Sequence, residues 1–161
     1  MAFKLWSDDL KDGDTLSQAQ VFNGMGHRGS NLSPHLAWSD PPVGTKSFVV
    51  TLYDPDAPTG SGWWHWIVAN IPASCHALPR GCGSGQGGLP RGAVQARNDF
   101  GTNPYGGAAP PAGRTHRYIF TVHALKVDHI EVDEHSGGAM VGFMTHMQHL
   151  GSASLTARYG H

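Results

Sequence analysis

The sequence predicts a mainly β protein organised around an antiparallel or mixed sheet. Dense runs of β-branched and aromatic residues, which are typical of strands, recur along the chain. Long segments rich in Gly and Pro separate these runs, and no regular helical crossovers lie between them. Parallel, doubly wound sheets need such crossovers, so this arrangement favours neighbouring antiparallel strands. One segment near the C-terminus has helical periodicity, and we expect one or two short helices.

The first half of the chain contains the two strongest strand patterns. Residues 1–30 are polar and rich in Gly, with a short strand expected at 20–22. Residues 31–38 read as a turn that leads into another short strand. The run 47–53, Ser-Phe-Val-Val-Thr-Leu-Tyr, is dense in strand formers, and a second strand is predicted over 63–71.

Loops and strands alternate through the middle of the chain. The segment 72–92 is a long loop rich in Gly and Pro, a type that is usually functional or flexible. A strand is expected over 93–98. Residues 101–114 contain too many Gly and Pro residues for regular structure. Another strand, 116–125, follows this loop.

One helix is predicted near the C-terminus, and a short strand over 154–158 should follow it. Apolar residues recur there at helical spacing: Met140, Phe143, Met144, Met147 and Leu150. Gly151 is a natural stop for this helix. His146 and His149 lie three residues apart, a spacing that permits a metal, but no acid or cysteine is near in sequence. We therefore expect both to be solvated on the polar side of the helix.

Composition limits the classes of function. A chain of 161 residues is long enough for one domain with a real core, so we expect a single domain over residues 1–161. The net charge of −1 and scattered Lys and Arg argue against a nucleic-acid-binding protein. No apolar run reaches the roughly 18 residues of a membrane span, and no signal peptide is evident, so a cytoplasmic location is expected. The two cysteines, Cys75 and Cys82, are expected to be free thiols.

The segment 54–58, Asp-Pro-Asp-Ala-Pro, is the most informative motif. Asp54 and Asp56 follow a strand directly, so they should project from the rim of a sheet, where binding groups often lie. Alternation along the next strand predicts that Trp63 and His65 share one face, and that Trp64 and Trp66 share the other.

The last predicted strand of the sheet contributes a second histidine. Alternation places His116 and Tyr118 on one face of 116–125, with Phe120 and Val122. Together with the two acids and His65, these residues could form a small pocket with aromatic walls.

The groups of this predicted pocket favour a small anion. Protonated imidazoles donate to phosphate or carboxylate, and a neighbouring carboxylate stabilises the charged imidazole. Gly106 and Gly107 would let backbone N–H groups approach an anion closely. Asp54 and Asp56 would orient the histidines or accept a ligand ammonium, so a phospho-amine would satisfy both signs of charge.

The joint occurrence of several motifs resembles the phosphatidylethanolamine-binding protein family, and most closely its bacterial Raf kinase inhibitor-like branch. These motifs occur in the family's order: Asn-Leu-Ser-Pro-His-Leu-Ala-Trp at 31–38, Asp-Pro-Asp-Ala-Pro at 54–58, Trp-Trp-His-Trp at 63–66, Tyr-Gly-Gly at 105–107, Pro-Pro at 110–111 and His-Arg-Tyr at 116–118. With the flanking segments, the resemblance extends over nearly the whole chain.

The resemblance implies a large central sheet packed with a smaller one, with a few peripheral helices. It also implies a pocket that binds phosphate, acetate, cacodylate or phosphoethanolamine-like groups. Carried over by motif, the pocket residues are Asp54, Asp56, Trp63, His65, Gly106, Gly107, His116 and Tyr118. A kinase or protease as regulated partner, and a homodimer, are further expectations from the family.

Three functions remain open on the sequence. The first is a non-enzymatic binding protein for small anionic ligands, without cofactor or resident metal. The second is a hydrolase, in which Asp54, Asp56, His65 and His116 offer a plausible set of metal ligands. It would lack the Gly-x-Ser-x-Gly, His-Glu-x-x-His and P-loop motifs of common hydrolases. The third is a protein-interaction module with a vestigial pocket.

Overall fold

The computed structural model describes residues 2–160 and contains eight strands. In chain order these are β1 (Lys4–Trp6), β2 (Leu36–Ser39), β3 (Ser47–Asp54), β4 (Trp63–Pro72), β5 (Ala77–Leu78), β6 (Val94–Gln95), β7 (Thr115–Leu125) and β8 (His149–Gly160). The helix α1 spans Gly138–Met147, and short 3₁₀ turns span Gln18–Gln20 and Cys82–Ser84. None of the helices within 2–160 is long and apolar enough to cross a membrane.

The strands form two sheets. The larger has the order β6-β4-β3-β7-β8, and the smaller has the order β1-β2-β5. Every pairing between these strands is antiparallel. The predicted fold class, mainly β with a large sheet, a smaller sheet and little helix, is therefore confirmed.

The small sheet packs on one face of the large sheet. Trp38 of β2 meets Phe48 of β3 edge to face, with ring centroids 5.3 Å apart. Trp66 and Phe120 belong to the same buried cluster. Burying aromatic side chains of this size contributes on the order of 2–3 kcal/mol each, which makes this layer the main core.

A second, smaller core lies on the opposite face of the large sheet. Val49 and Ile67 pack there with Val141 of α1. The N-terminus of the helix lies directly on the sheet, since a Cβ atom at Gly138 would overlap the ring of Trp64. The large sheet is therefore covered on both faces, by the small sheet on one and by α1 on the other.

The central strand predictions are confirmed, whereas several predictions at the edges are wrong. At 20–22 the chain leaves a 3₁₀ turn, and Val21 makes only an isolated bridge to Ala108. The strand expected over 93–98 shortens to Val94–Gln95, while the last strand is much longer than predicted. The segment 72–92 is not entirely loop, because it contains β5 and a 3₁₀ turn.

Most of the apolar residues whose spacing predicted α1 do not lie on its packed side, although Met144 contacts the second core. The buried residues of the helix are Gly138, Val141 and Thr145, whereas Met140 and Phe143 are more than half exposed. Apolar residues lie on both sides of this helix, so spacing alone did not identify the packed side. Gly138 packs directly against the sheet, and this contact decides which side of the helix faces inward.

An irregularity in β4 changes the predicted faces of the tryptophans. Leu52 pairs with Trp66, but the next residue of β3, Tyr53, pairs with Trp64, so an extra residue, His65, stands between them. Such a bulge reverses the alternation locally. Trp66 consequently joins the main core while Trp64 packs on the α1 side, which corrects the prediction that the two share a face.

The cysteines are confirmed as free thiols. Cys82 is buried in the main core, and Cys75 packs against the same cluster. Burial raises the pKa of Cys82 to about 11, and the nearby Cys75 adds to this shift. The Cys82 thiol is thus protonated and unreactive at neutral pH.

Candidate functional site

A cavity of about 180 Å³, here called the end pocket, opens where β3 ends and where β4 and β7 begin. Antiparallel order brings these three strand ends to one edge of the sheet, as the strand pattern predicted. The end pocket is lined by Met25, Asp54, Ala57, Pro58, Thr59, Trp63, His65, Phe100, Ala109, Pro111, His116 and Tyr118. Five of the eight predicted site residues therefore lie on its wall.

A buried acid–imidazole pair forms one side of the end pocket. Asp54 is 2% exposed, and its Oδ2 accepts a hydrogen bond from His116 Nδ1 at 2.7 Å. Its Oδ1 accepts from the backbone N–H of Asp56 at 2.8 Å, a common local bond for Asp in a turn. Both carboxylate oxygens of Asp54 thus accept hydrogen bonds. The bond to Asp54 Oδ2 places the proton of His116 on Nδ1. The second ring nitrogen, Nε2, is left for other partners.

His65 is held in a similar way by a backbone carbonyl. Its Nδ1 donates to the oxygen of Gly106 at 2.8 Å, because a carbonyl can only accept. Burial lowers the pKa of His65, although the Gly106 bond and the charge of Asp54 partly oppose that shift. The ring is therefore neutral at pH 7, with a lone pair on Nε2.

Two buried donors in the wall have no hydrogen-bond partner among residues 2–160. These are the indole Nε1 of Trp63 and the hydroxyl of Tyr118. Burial raises the pKa of Tyr118, and the negative charge of nearby Asp54 raises it further, so the phenol remains protonated. Buried polar groups in native proteins are nearly always satisfied, so unpaired donors in a cavity wall are candidates for ligand contacts.

The second predicted acid takes a different position. Asp56 accepts three hydrogen bonds from Arg117, from the backbone N–H at 2.8 Å, from Nε at 3.0 Å and from Nη2 at 2.9 Å. These hydrogen bonds hold the pKa of Asp56 at about 2. Asp56 is not part of the pocket wall, and it instead ties the 54–58 turn to β7.

The glycines also support the end pocket rather than line it. The N–H of Gly106 donates to the backbone oxygen of His65 at 3.1 Å. The N–H of Gly107 donates to Asn31 Oδ1 at 2.7 Å. Neither N–H is available to an anion, so the backbone role expected for them is wrong. Gly107 is nevertheless required, because a Cβ atom there would overlap the carbonyl oxygen of Gln20.

Several lining residues were missed in the sequence. Phe100 is the most important, because its ring meets both Trp63 and His65 edge to face, at centroid distances of 5.3 and 5.4 Å. Phe22 stacks on its other side at 4.5 Å. A large aromatic within the turn Asn-Asp-Phe-Gly at 98–101 was an available signal. No strand periodicity pointed to it.

The fold and the pocket define a β protein with a small cavity at the end of its central sheet. Comparison with known protein families identifies the class of protein. The family model for phosphatidylethanolamine-binding protein matches residues 6–160, and the chain belongs to that family. The resemblance noted in the sequence is thereby confirmed.

Three individual relatives show how far the similarity extends. The chain is 64% identical over 156 residues to the UPF0098 protein YbhB of Escherichia coli K12, covering 97% of this chain and 99% of YbhB. The crystal structure of E. coli YbcL, described as a member of the mammalian PEBP family, superposes with a TM-score of 0.97 at 51% identity, covering 100% of this chain and 99% of YbcL. A homologue from Chlamydia trachomatis superposes with a TM-score of 0.83 at 27% identity, covering 99% and 98%. The family supports a ligand-binding protein.

Proposed function

We propose that the end pocket binds a small anionic or phosphorylated group, such as phosphate or a phosphoethanolamine-like head group, without turning it over. The observation that carries this proposal is the pair of unpartnered buried donors, Trp63 Nε1 and Tyr118 Oη, within the described chain. An indole N–H can only donate, so it calls for a ligand acceptor. Anionic oxygens are the strongest acceptors available.

The two histidines fit the same ligand. His116 and His65 each commit Nδ1 to a protein acceptor, so each has Nε2 to offer. An anion beside an imidazole favours its protonated form, which donates in turn. Binding should therefore take up a proton and strengthen as pH falls.

The remainder of the wall suits the organic part of a ligand. Met25, Pro58, Phe100 and Pro111 give an apolar rim, and among the described residues no Lys or Arg lines the end pocket. Without a permanent cation, the binding of a bare polyanion would be weak. A singly or doubly charged head group with an aliphatic portion is the better match.

Two features argue for binding rather than hydrolysis. Both oxygens of Asp54 already accept hydrogen bonds, and Asp56 is bound to Arg117, so neither acid is placed as a general base or nucleophile. The metal-ligand set considered in the sequence would also have to break the Asp56–Arg117 contact. A non-enzymatic role is accordingly the better proposal.

Thermal denaturation with added ligand tests this proposal. Phosphate, acetate and phosphoethanolamine should each raise the melting temperature, by roughly 5–10 °C at about 100 times Kd. The rise should be larger at pH 6 than at pH 8. Trp63→Phe should reduce the rise, whereas the matched change Trp6→Phe, at an exposed residue of β1, should leave it intact. No shift with any of the three compounds would refute the proposal.

The other expectations from the family also stay predictions. Regulation of a kinase or protease, a homodimer and a cytoplasmic location would each be compatible with an anion-binding pocket. Light scattering on the purified chain would measure the oligomeric state. If partner binding survives His65→Ala, the interaction would be independent of the end pocket.

A further inference from the structure

A second cavity, here called the helix cavity, lies between α1 and the opposite face of the large sheet. Its volume is about 310 Å³. Three histidines from three different elements line it: His123 of β7, His146 of α1 and His149 of β8. His123 and His116 both belong to β7, but alternation sends His123 to the face away from the end pocket. The helix cavity is therefore a separate feature.

The structure corrects the sequence interpretation of these histidines. His146 and His149 are exposed to solvent as expected. They do not share a helix, however, because α1 ends at Met147 and His149 begins β8. His149 turns to His123, with Nε2 and Nδ1 at 3.2 Å and ring centroids at 5.3 Å. The histidine that sequence spacing left without a partner thus has one on a neighbouring strand.

The distance between these nitrogens is suited to a metal. Two imidazoles bound to one ion at about 2.0–2.1 Å with tetrahedral angles place their nitrogens roughly 3.3 Å apart. The same distance also suits an N–H···N hydrogen bond between two neutral rings. In the hydrogen bond one nitrogen carries a proton directed at the other, whereas a bound ion would lie to the side of the line between the nitrogens and accept both lone pairs.

The surroundings favour a cation over an anion. Imidazole is the commonest metal ligand among side chains. Within residues 2–160, no Lys or Arg lines the helix cavity, so it offers an anion no permanent positive charge.

Two further side chains near His123 and His149 carry atoms that can bind a metal. His146 is exposed on the last turn of α1, three residues before His149. The hydroxyl of Thr145 is buried in the cavity wall and has no hydrogen-bond partner in the described part of the chain. Across residues 2–160, no three His, Cys, Asp or Glu side chains have already converged on one point, so His146 must turn inward to complete a site. Its exposed position permits that rotation.

We propose that His123 and His149, joined by His146, form a binding site for a divalent transition metal such as Zn²⁺, Ni²⁺ or Cu²⁺. Imidazole nitrogen suits these ions, whereas Mg²⁺ and Ca²⁺ prefer oxygen ligands. Because the ligands come from β7, β8 and α1, the metal would fasten the helix to the sheet and stabilise the folded chain.

Titration calorimetry with ZnCl₂ on the untagged, chelator-treated chain tests this site. We expect one ion per chain, with His123→Gln and His149→Gln each lowering the affinity at least 100-fold. His146→Gln should lower it about tenfold. His129→Gln changes an exposed histidine outside the cavity and serves as the matched control, with no effect expected. Zn²⁺, but not Mg²⁺, should raise the melting temperature.

Absence of Zn²⁺, Ni²⁺ and Cu²⁺ binding would overturn the proposal, and so would equal losses in the control and the pair variants. His146→Gln keeps the test decisive if a pair variant fails to fold, because this exposed side chain contributes no core packing. In that case an unchanged affinity in His146→Gln, together with X-ray absorption that shows fewer than two imidazole ligands, would refute the site.

Discussion

Removal of the Asp54 carboxylate should destabilise the fold strongly. Asp54 and His116 are 2% and 5% exposed, and their contact at 2.7 Å is shielded from water. Removing one partner of a buried pair costs about 3–5 kcal/mol, because the other is left without compensation. In Asp54→Ala the Asp56 N–H also loses its acceptor. For a domain of this size, the melting temperature should fall by roughly 6–20 °C.

Calorimetric unfolding at pH 7 measures this effect, and Asp56→Ala is its matched control. Asp56 lies only two residues away and contacts the cationic side chain of Arg117 at 2.9 Å. That pair is exposed to solvent, which screens it, so its loss should cost far less. Equal decreases in the two variants would refute the burial argument.

A double-mutant cycle isolates the pair itself. The combined variant Asp54→Ala/His116→Ala should be less destabilised than the sum of the single variants, because it leaves neither partner uncompensated. Strict additivity of the two changes would mean that Asp54 and His116 do not interact in the folded protein.

The remaining predictions concern backbone packing and pH. Gly107→Ala should lower the melting temperature sharply, since its Cβ atom would overlap the Gln20 carbonyl, whereas Gly142→Ala, in open space on α1, should be neutral or stabilising by about 0.5–1 kcal/mol. Comparable losses in both would contradict this packing argument. The pKa of His123 falls from 6.5 unfolded to about 4 folded, so the unfolded state binds the extra proton and stability declines as pH falls from about 6.5 to 4. Urea unfolding should show a smaller decline between pH 7 and pH 4.5 in His123→Gln, and identical pH profiles would exclude this role.

Much of the fold could be predicted from local sequence patterns. The strands predicted at 47–53 and 116–125 both lie inside the large sheet. Along 116–125, buried side chains alternate with more exposed ones as expected, whereas nearly every residue of 47–53 is buried. The motifs at 54–58, 63–66 and 116–118 identified the family, which the family model confirms over residues 6–160. These strands and motifs depend on residues that are close together in sequence. They do not depend on which strands pair on either side.

Only part of the end pocket could be predicted from the sequence. Asp54, Trp63, His65, His116 and Tyr118 line it as expected, and their role in binding stays a prediction. Phe100 was missed because its position depends on a loop that crosses from a distant part of the chain. Asp56 was expected beside Asp54, but the nearest cation, Arg117, lies 61 residues away in sequence and holds it elsewhere.

By itself, then, the sequence determined the β class, the central strands and the family of this protein. Tertiary structure alone decided the bulge that separates the faces of Trp64 and Trp66, the inward side of α1, and the pairing of His123 with His149. The physical reason is the range of the interactions involved. Strand and turn preferences act between neighbouring residues, whereas strand register, helix seating and side-chain pairing depend on which distant segment supplies the contact. The Asp-Pro-Asp motif combines both kinds of information, because its turn is local while its two partners, His116 and Arg117, come from β7.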